Sequence, residues 1–178
     1  MKWIIVVLSI TAILVIGFFG FIIVSDIKDS NANKNTSTNS LEDIRDATGG
    51  SVTDEQLDSY EEKGLNPFGQ IKSIDQLTDI DYQEYIHGMS HQKVAAEEKW
   101  GYYQITPDRV YWLLEGLDVV NLQHKETYKS ILEKWANGDF SSADKDHNAI
   151  WALQGGTIGE ATGILSPEEE KAFMESQR

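Results

Sequence analysis

TPDRVYWLLEGLDVVNLQHKETYKSILEKWANG, residues 106–138, decides the fold class. Thr106 before Pro107 is a helix start: the threonine oxygen caps a free amide, and proline at the first helical position gives up an N–H that has no partner there. Behind it Val110, Leu113, Leu114, Leu117 and Val120 recur at helical spacing. Tyr128, Ile131, Leu132 and Trp135 repeat the pattern before Asn137-Gly138 stops it. The connection is only a few residues long, so the two helices pack as an antiparallel hairpin.

Further start and stop signals lie on both sides of this hairpin. Thr53 with Gln56 is a capping-box pattern ahead of DEQLDSYEEK, which ends at Gly64. Ser73 with Gln76 is a second, leading into the stretch from Ile80 to Met89. A helix from Ser141 or Ser142 ends at Gly155-Gly156, and Ser166-Pro167-Glu168-Glu169 opens the last one. No strand-like alternation of useful length occurs, apart from a short extended piece at Tyr102 to Ile105. The expectation is an all-α domain over residues 51–178, a compact bundle of about five or six helices.

The chain has 178 residues, no cysteine and a net charge of −14. Disulfides, thiolate metal sites and cysteine nucleophiles are excluded. No acidic residue precedes Asp26, so the rest carries 14 basic against 29 acidic side chains. Such a domain repels phosphate backbones and anionic headgroups, which argues against nucleic-acid binding and against membrane docking by the domain surface.

Residues 3–24 read WIIVVLSITAILVIGFFGFIIV without a charge. At about 1.5 Å per residue they span about 33 Å, enough for the ~30 Å hydrocarbon core. The run is longer than the apolar part of a cleaved leader and lacks a strong small-x-small site after it, so it reads as a single-pass transmembrane anchor. Lys2 and the amino terminus precede it, which places the N-terminus in the cytoplasm and the rest outside. Residues 25–50 begin SDIKDSNANKNTSTNS, a composition that buries too little apolar surface to order itself, and they read as a flexible tether.

Two stretches, MSHQKVAAEEKWG (89–101) and DHNAIWALQGGTIGEATGILSPEEE (146–170), together resemble a domain family of unknown function found in small membrane-anchored proteins of bacilli. The resemblance runs from about Tyr82 to the C-terminus. It implies an exported, anchored protein of a Gram-positive bacterium and supplies no catalytic residue.

The histidines form the sharpest chemical cluster. His87 and His91 are i,i+4, so a helix through them points both rings one way. They lie opposite the Tyr82, Tyr85, Ile86, Met89 stripe, off the local core face. His147 shares a face with Ala143 and Ile150 and points inward, next to Asp146. If the two helices met, His87, His91 and His147 or Asp146 would hold zinc, with Glu97 or Glu98 as a base. Against this, HGMSH lacks the glutamate of HExxH, and Gly88 weakens the helix between the ligands. The plainer reading is a polar helix face plus one hydrogen-bonded core histidine. No other cofactor is indicated.

Other patterns fail on chemistry. Asp144, Asp146 and Asn148 copy the first ligands of a calcium loop, but Ala149 and Gly155 stand where glycine and a bidentate glutamate are required. GGTIGEATG (155–163) lacks the lysine-serine pair of a phosphate loop and reads as a helix stop, with Gly155 and Gly156 as loop contacts to a ligand. There is no GxSxG motif, and no carboxylate pair is placed across a cleft by sequence. Of the exported tryptophans, Trp135 belongs to the core stripe, while Trp112 and Trp151 sit beside such stripes, as margins or interfaces with a protein partner. The sequence therefore favours a non-enzymatic, extracytoplasmic protein-interaction module at the membrane surface or in the cell wall. The alternative is a metal-dependent cell-envelope hydrolase.

Overall fold

A computed structural model describes residues 49–178. The anchor 3–24, and the tether apart from Gly49 and Gly50, lie outside the described residues. Among the described residues no helix is long and apolar enough to cross a membrane.

Caps set most of the architecture. Helix α1 (Asp54–Glu62) opens on a reciprocal box: Thr53 Oγ1 accepts from Gln56 N at 3.3 Å, and Gln56 Oε1 accepts from Thr53 N at 2.9 Å. Ser73 and Gln76 form a box too, but it starts only a 3₁₀ turn, Ile74–Gln76. Leu77 then turns extended to reach the core, where it is buried. Helix α2 (Asp79–Ser90) begins at a second start signal, Thr78, whose N–H donates to the Asp81 carboxylate at 2.8 Å. The α3 (Pro107–Val119) and α4 (Lys125–Ala136) pair forms the hairpin read from the sequence. Helix α5 (Ala143–Leu153) follows, and α6 (Pro167–Ser176) closes the chain behind its Ser166–Glu169 box.

The domain is mostly helical, with six α-helices, but it is not all-α. Strand β1 (Val94–Ala96) pairs antiparallel with β2 (Ala161–Ile164), matching Val94 with Ile164 and Ala95 with Gly163 before an irregularity. Strands of three and four residues are too short to show alternation, and their partners lie far apart in sequence. The extended piece at Tyr102–Ile105 makes only an isolated parallel bridge, Tyr103 to Gly50.

Aromatic rings dominate the core. Phe68 stacks on Tyr85 at 3.8 Å between centroids and meets Tyr103 edge-on at 5.1 Å, while Tyr82 stacks on Tyr128 at 5.2 Å. Arg109 is wholly buried among them; its Nε donates to the Pro67 carbonyl and its Nη1 to that of Gln104. Its charge also faces the Phe68 ring at 5.1 Å.

Helix α2 is the central element, covered on two sides. Tyr82, Tyr85, Ile86 and Met89 enter the aromatic core, and the opposite side packs against α5. Gly88 makes a third approach possible. A Cβ there would lie 2.6 Å from the Tyr103 ring, and the Gly88 carbonyl accepts from Tyr103 N at 3.2 Å. The glycine costs the helix about 1 kcal/mol relative to alanine, but it is the notch into which Tyr103 docks.

Candidate metal centre

The α2–α5 contact brings three imidazoles together. His87 comes from the last turn of α2, His91 from its C-cap, and His147 from the first half of α5. Ring centroids lie 4.7 Å apart for His87–His91, 4.6 Å for His87–His147 and 5.5 Å for His91–His147. One nitrogen from each falls within 4.8 Å of the others. His91 and His147 are buried and His87 is half-buried. This corrects the placement of His87 and His91 away from the core: the face opposite the aromatic stripe is covered by α5, a neighbour that the wheel of one helix does not reveal.

The outer nitrogen of each ring has an oxygen partner. His91 Nδ1 is 2.6 Å from the Gly101 carbonyl, an acceptor only, so it carries the proton. His147 Nδ1 is 2.8 Å from Asn148 Oδ1. That amide cannot turn, because Oδ1 also accepts from Ala161 N at 2.8 Å and Nδ2 donates to Ala161 O at 2.9 Å. His87 Nδ1 is 2.5 Å from Gln154 Oε1 at the C-cap of α5. With Nδ1 protonated in all three, the Nε2 lone pairs remain for a common ligand, the tautomer arrangement found around histidine-bound metals.

His87 Nε2 and His147 Nε2 are 3.0 Å apart. Two lone pairs repel at that distance unless a proton or a cation lies between them. His87 is the ring able to carry such a proton, since the Gln154 amide is free to rotate and offer its NH₂ to Nδ1. Two ligands of a tetrahedral zinc ion at ~2.0 Å are about 3.3 Å apart. The closest pair already fits, and the widest separation closes by roughly 1.5 Å on that geometry.

A family model described as a family of unknown function, DUF6241, matches residues 86–175, half of the chain. The chain belongs to DUF6241. The histidine cluster, Gly101, Asn148, Gln154 and Ala161 all lie inside the segment that defines DUF6241 membership. No curated protein and no solved structure matches the chain.

The structure does not bring Asp146 to the cluster. Its carboxylate pairs with Lys134 and accepts from Trp135 Nε1 at 3.2 Å. Consecutive helical residues point about 100° apart, so Asp146 faces α4 while His147 faces α2. Trp112 is half-buried against Phe68 and Tyr85 and lines a groove of about 360 Å³ with Tyr60, Leu65 and Asp108. Trp151 spends its N–H on the Ile158 carbonyl at 2.9 Å. Gly155 ends α5 at φ +70, and a Cβ on Gly156 would lie 2.3 Å from the Trp151 indole, so this glycine makes room for the ring. Sequence reasoning missed Asn148, Gln154 and Lys99. Only Asn148 carries a signal in the sequence, as an amide side chain next to a candidate ligand.

Burial pushes His87 down to about 4 and His91 to about 3, and lowers His147 as well. In the unfolded chain these rings titrate near 6.5. Above that pH both states are neutral. Below it the unfolded state binds protons first, so stability falls with pH until the folded rings titrate. Metal-free full-length protein should therefore lose stability between about pH 6.5 and pH 4. This lies above the range of Asp79 and Asp81, which hydrogen bonds hold below 3.8 despite burial. Chemical denaturation across this window checks it, and His91→Gln should flatten the slope; an unchanged slope would contradict neutral burial.

Proposed function

We propose that the domain is a metal-binding module in which His87, His91 and His147 hold one divalent transition ion, zinc first. The observation that carries this is the convergence of one ring nitrogen from each of three histidines, with an oxygen at Nδ1 of every ring. Imidazole nitrogens suit zinc, copper and nickel, and an all-nitrogen set disfavours calcium and magnesium. Full-length protein exposed to zinc and then desalted should retain about one equivalent by elemental analysis. Zinc at a hundredfold over its Kd should stabilise the fold by about 2.7 kcal/mol. His91→Ala and His87→Gln should lose both effects. His124→Ala should keep them, because His124 lies outside the cluster beside Tyr128. Retention of zinc by His87→Gln, folded by circular dichroism, would remove the site.

The apolar segment 3–24 and the charge bias around it support a membrane anchor that displays this module outside the cytoplasm. The groove containing Trp112 and Tyr60, rimmed by Asp58, Glu61 and Asp108, supports docking of a protein partner there. The chain has no cysteine, so Asp108→Cys gives a single thiol in the groove. An impermeant maleimide photo-crosslinker on intact cells should label it and capture an adduct. Labelling only after lysis would overturn the orientation, and labelling without any adduct would count against a partner.

A further inference from the structure

Resting on the metal reading above, three histidine ligands leave the metal's shell to be completed by something else. Among the described residues, the group that converges is His87, His91 and His147 alone. Asp146 is held by Lys134 and Trp135, and His124 contacts Tyr128. Zinc and its neighbours take four or more ligands; structural sites supply all of them from protein, whereas reactive sites supply three. The cluster is also not sealed: His91 and His147 are buried, but His87 is only half-buried.

Charge selects the ligand. Lys99 is fixed beside the cluster, its ammonium donating to the His91 carbonyl at 2.9 Å and lying 4.1 Å over the Phe173 ring. The segment carrying it is pressed against the loop before β2, where a Cβ on Gly159 would lie 2.7 Å from the Glu98 carbonyl. Glu160 follows that glycine and precedes Ala161, which Asn148 clamps to the ring of His147. A divalent ion with three neutral imidazoles and the Lys99 ammonium beside it carries local charge +3, against −1 from Glu160, these being the two side-chain charges that act on the His147 ring. An anion offsets that excess and a neutral donor does not.

We infer that a metal held by His87, His91 and His147 takes its remaining ligand from solution as a small anion, attracted by Lys99. Such a site is of the reactive type, with an exchangeable position on the metal.

The test is visible absorption of the full-length chain loaded with cobalt(II) and titrated with azide. Expected is a d–d spectrum that azide changes saturably. Lys99→Met should bind cobalt at least as tightly as wild type but azide roughly 3- to 10-fold more weakly, the loss of one partly screened charge. Lys99→Arg should restore the affinity and show that the Met variant is not merely misfolded. A cobalt spectrum that azide leaves unmoved would overturn the inference while the metal reading survives, because the chain itself then supplies the fourth ligand. Equal azide affinity in wild type and Lys99→Met would remove the lysine's role and with it the anion selectivity. No cobalt spectrum would take down both readings.

Discussion

Two imidazole nitrogens held 3.0 Å apart in a mostly buried setting are the constraint on which this domain turns. A neutral pair with facing lone pairs is not stable, and a charged pair is penalised by burial. One proton or one cation between the rings resolves the conflict. Helix α2 cannot relieve it by shifting, because its other side carries Tyr82, Tyr85, Ile86 and Met89 into the core.

The small sheet and the loops around it make sense as supports for this contact. Asn148 uses its whole amide on the backbone of Ala161 at the start of β2 and offers its oxygen to His147 as well. Gly101 supplies the acceptor for His91 just before Tyr102 and Tyr103 enter the core. Gly88 lets the Tyr103 ring lie against α2 between the ligand positions. Two histidines are thus held by backbone-anchored oxygens. The third, His87, is held by a side-chain amide at the exposed edge. Rigidity on two sides and adjustability on one is what a site needs if it is to exchange a proton for a metal ion.

The helices were legible because caps and apolar stripes are local. Thr53, Thr106 and Ser166 each mark an observed start, and Asn137-Gly138 and Gly155-Gly156 mark stops. Ser73 misled because two start signals lie five residues apart and the burial of Leu77 breaks the helix between them. The sheet was illegible: seven residues from two distant segments carry no period. In the cluster, the i,i+4 pair and His147 were visible as types at a spacing. Their burial was not, because it depends on α5 packing over a face of α2 that reads as polar. Asp146 looked equivalent to His147 in sequence, but the helix turns it toward Lys134. Arg109, enclosed by carbonyls and ring faces, has no sequence signature, since its partners come from two separate segments, Pro67-Phe68 and Gln104.

The tautomers carry the central claim, and long-range proton–nitrogen correlation spectra of the imidazoles read them directly. In metal-free protein, His91 and His147 should be protonated at Nδ1 and His87 at Nε2. On addition of zinc, all three should become Nδ1–H tautomers with shifted, metal-bound Nε2 resonances, while His124 stays unchanged. An Nε2–H tautomer at His91 or His147 in either state, or Nε2 signals indifferent to zinc, would contradict the account.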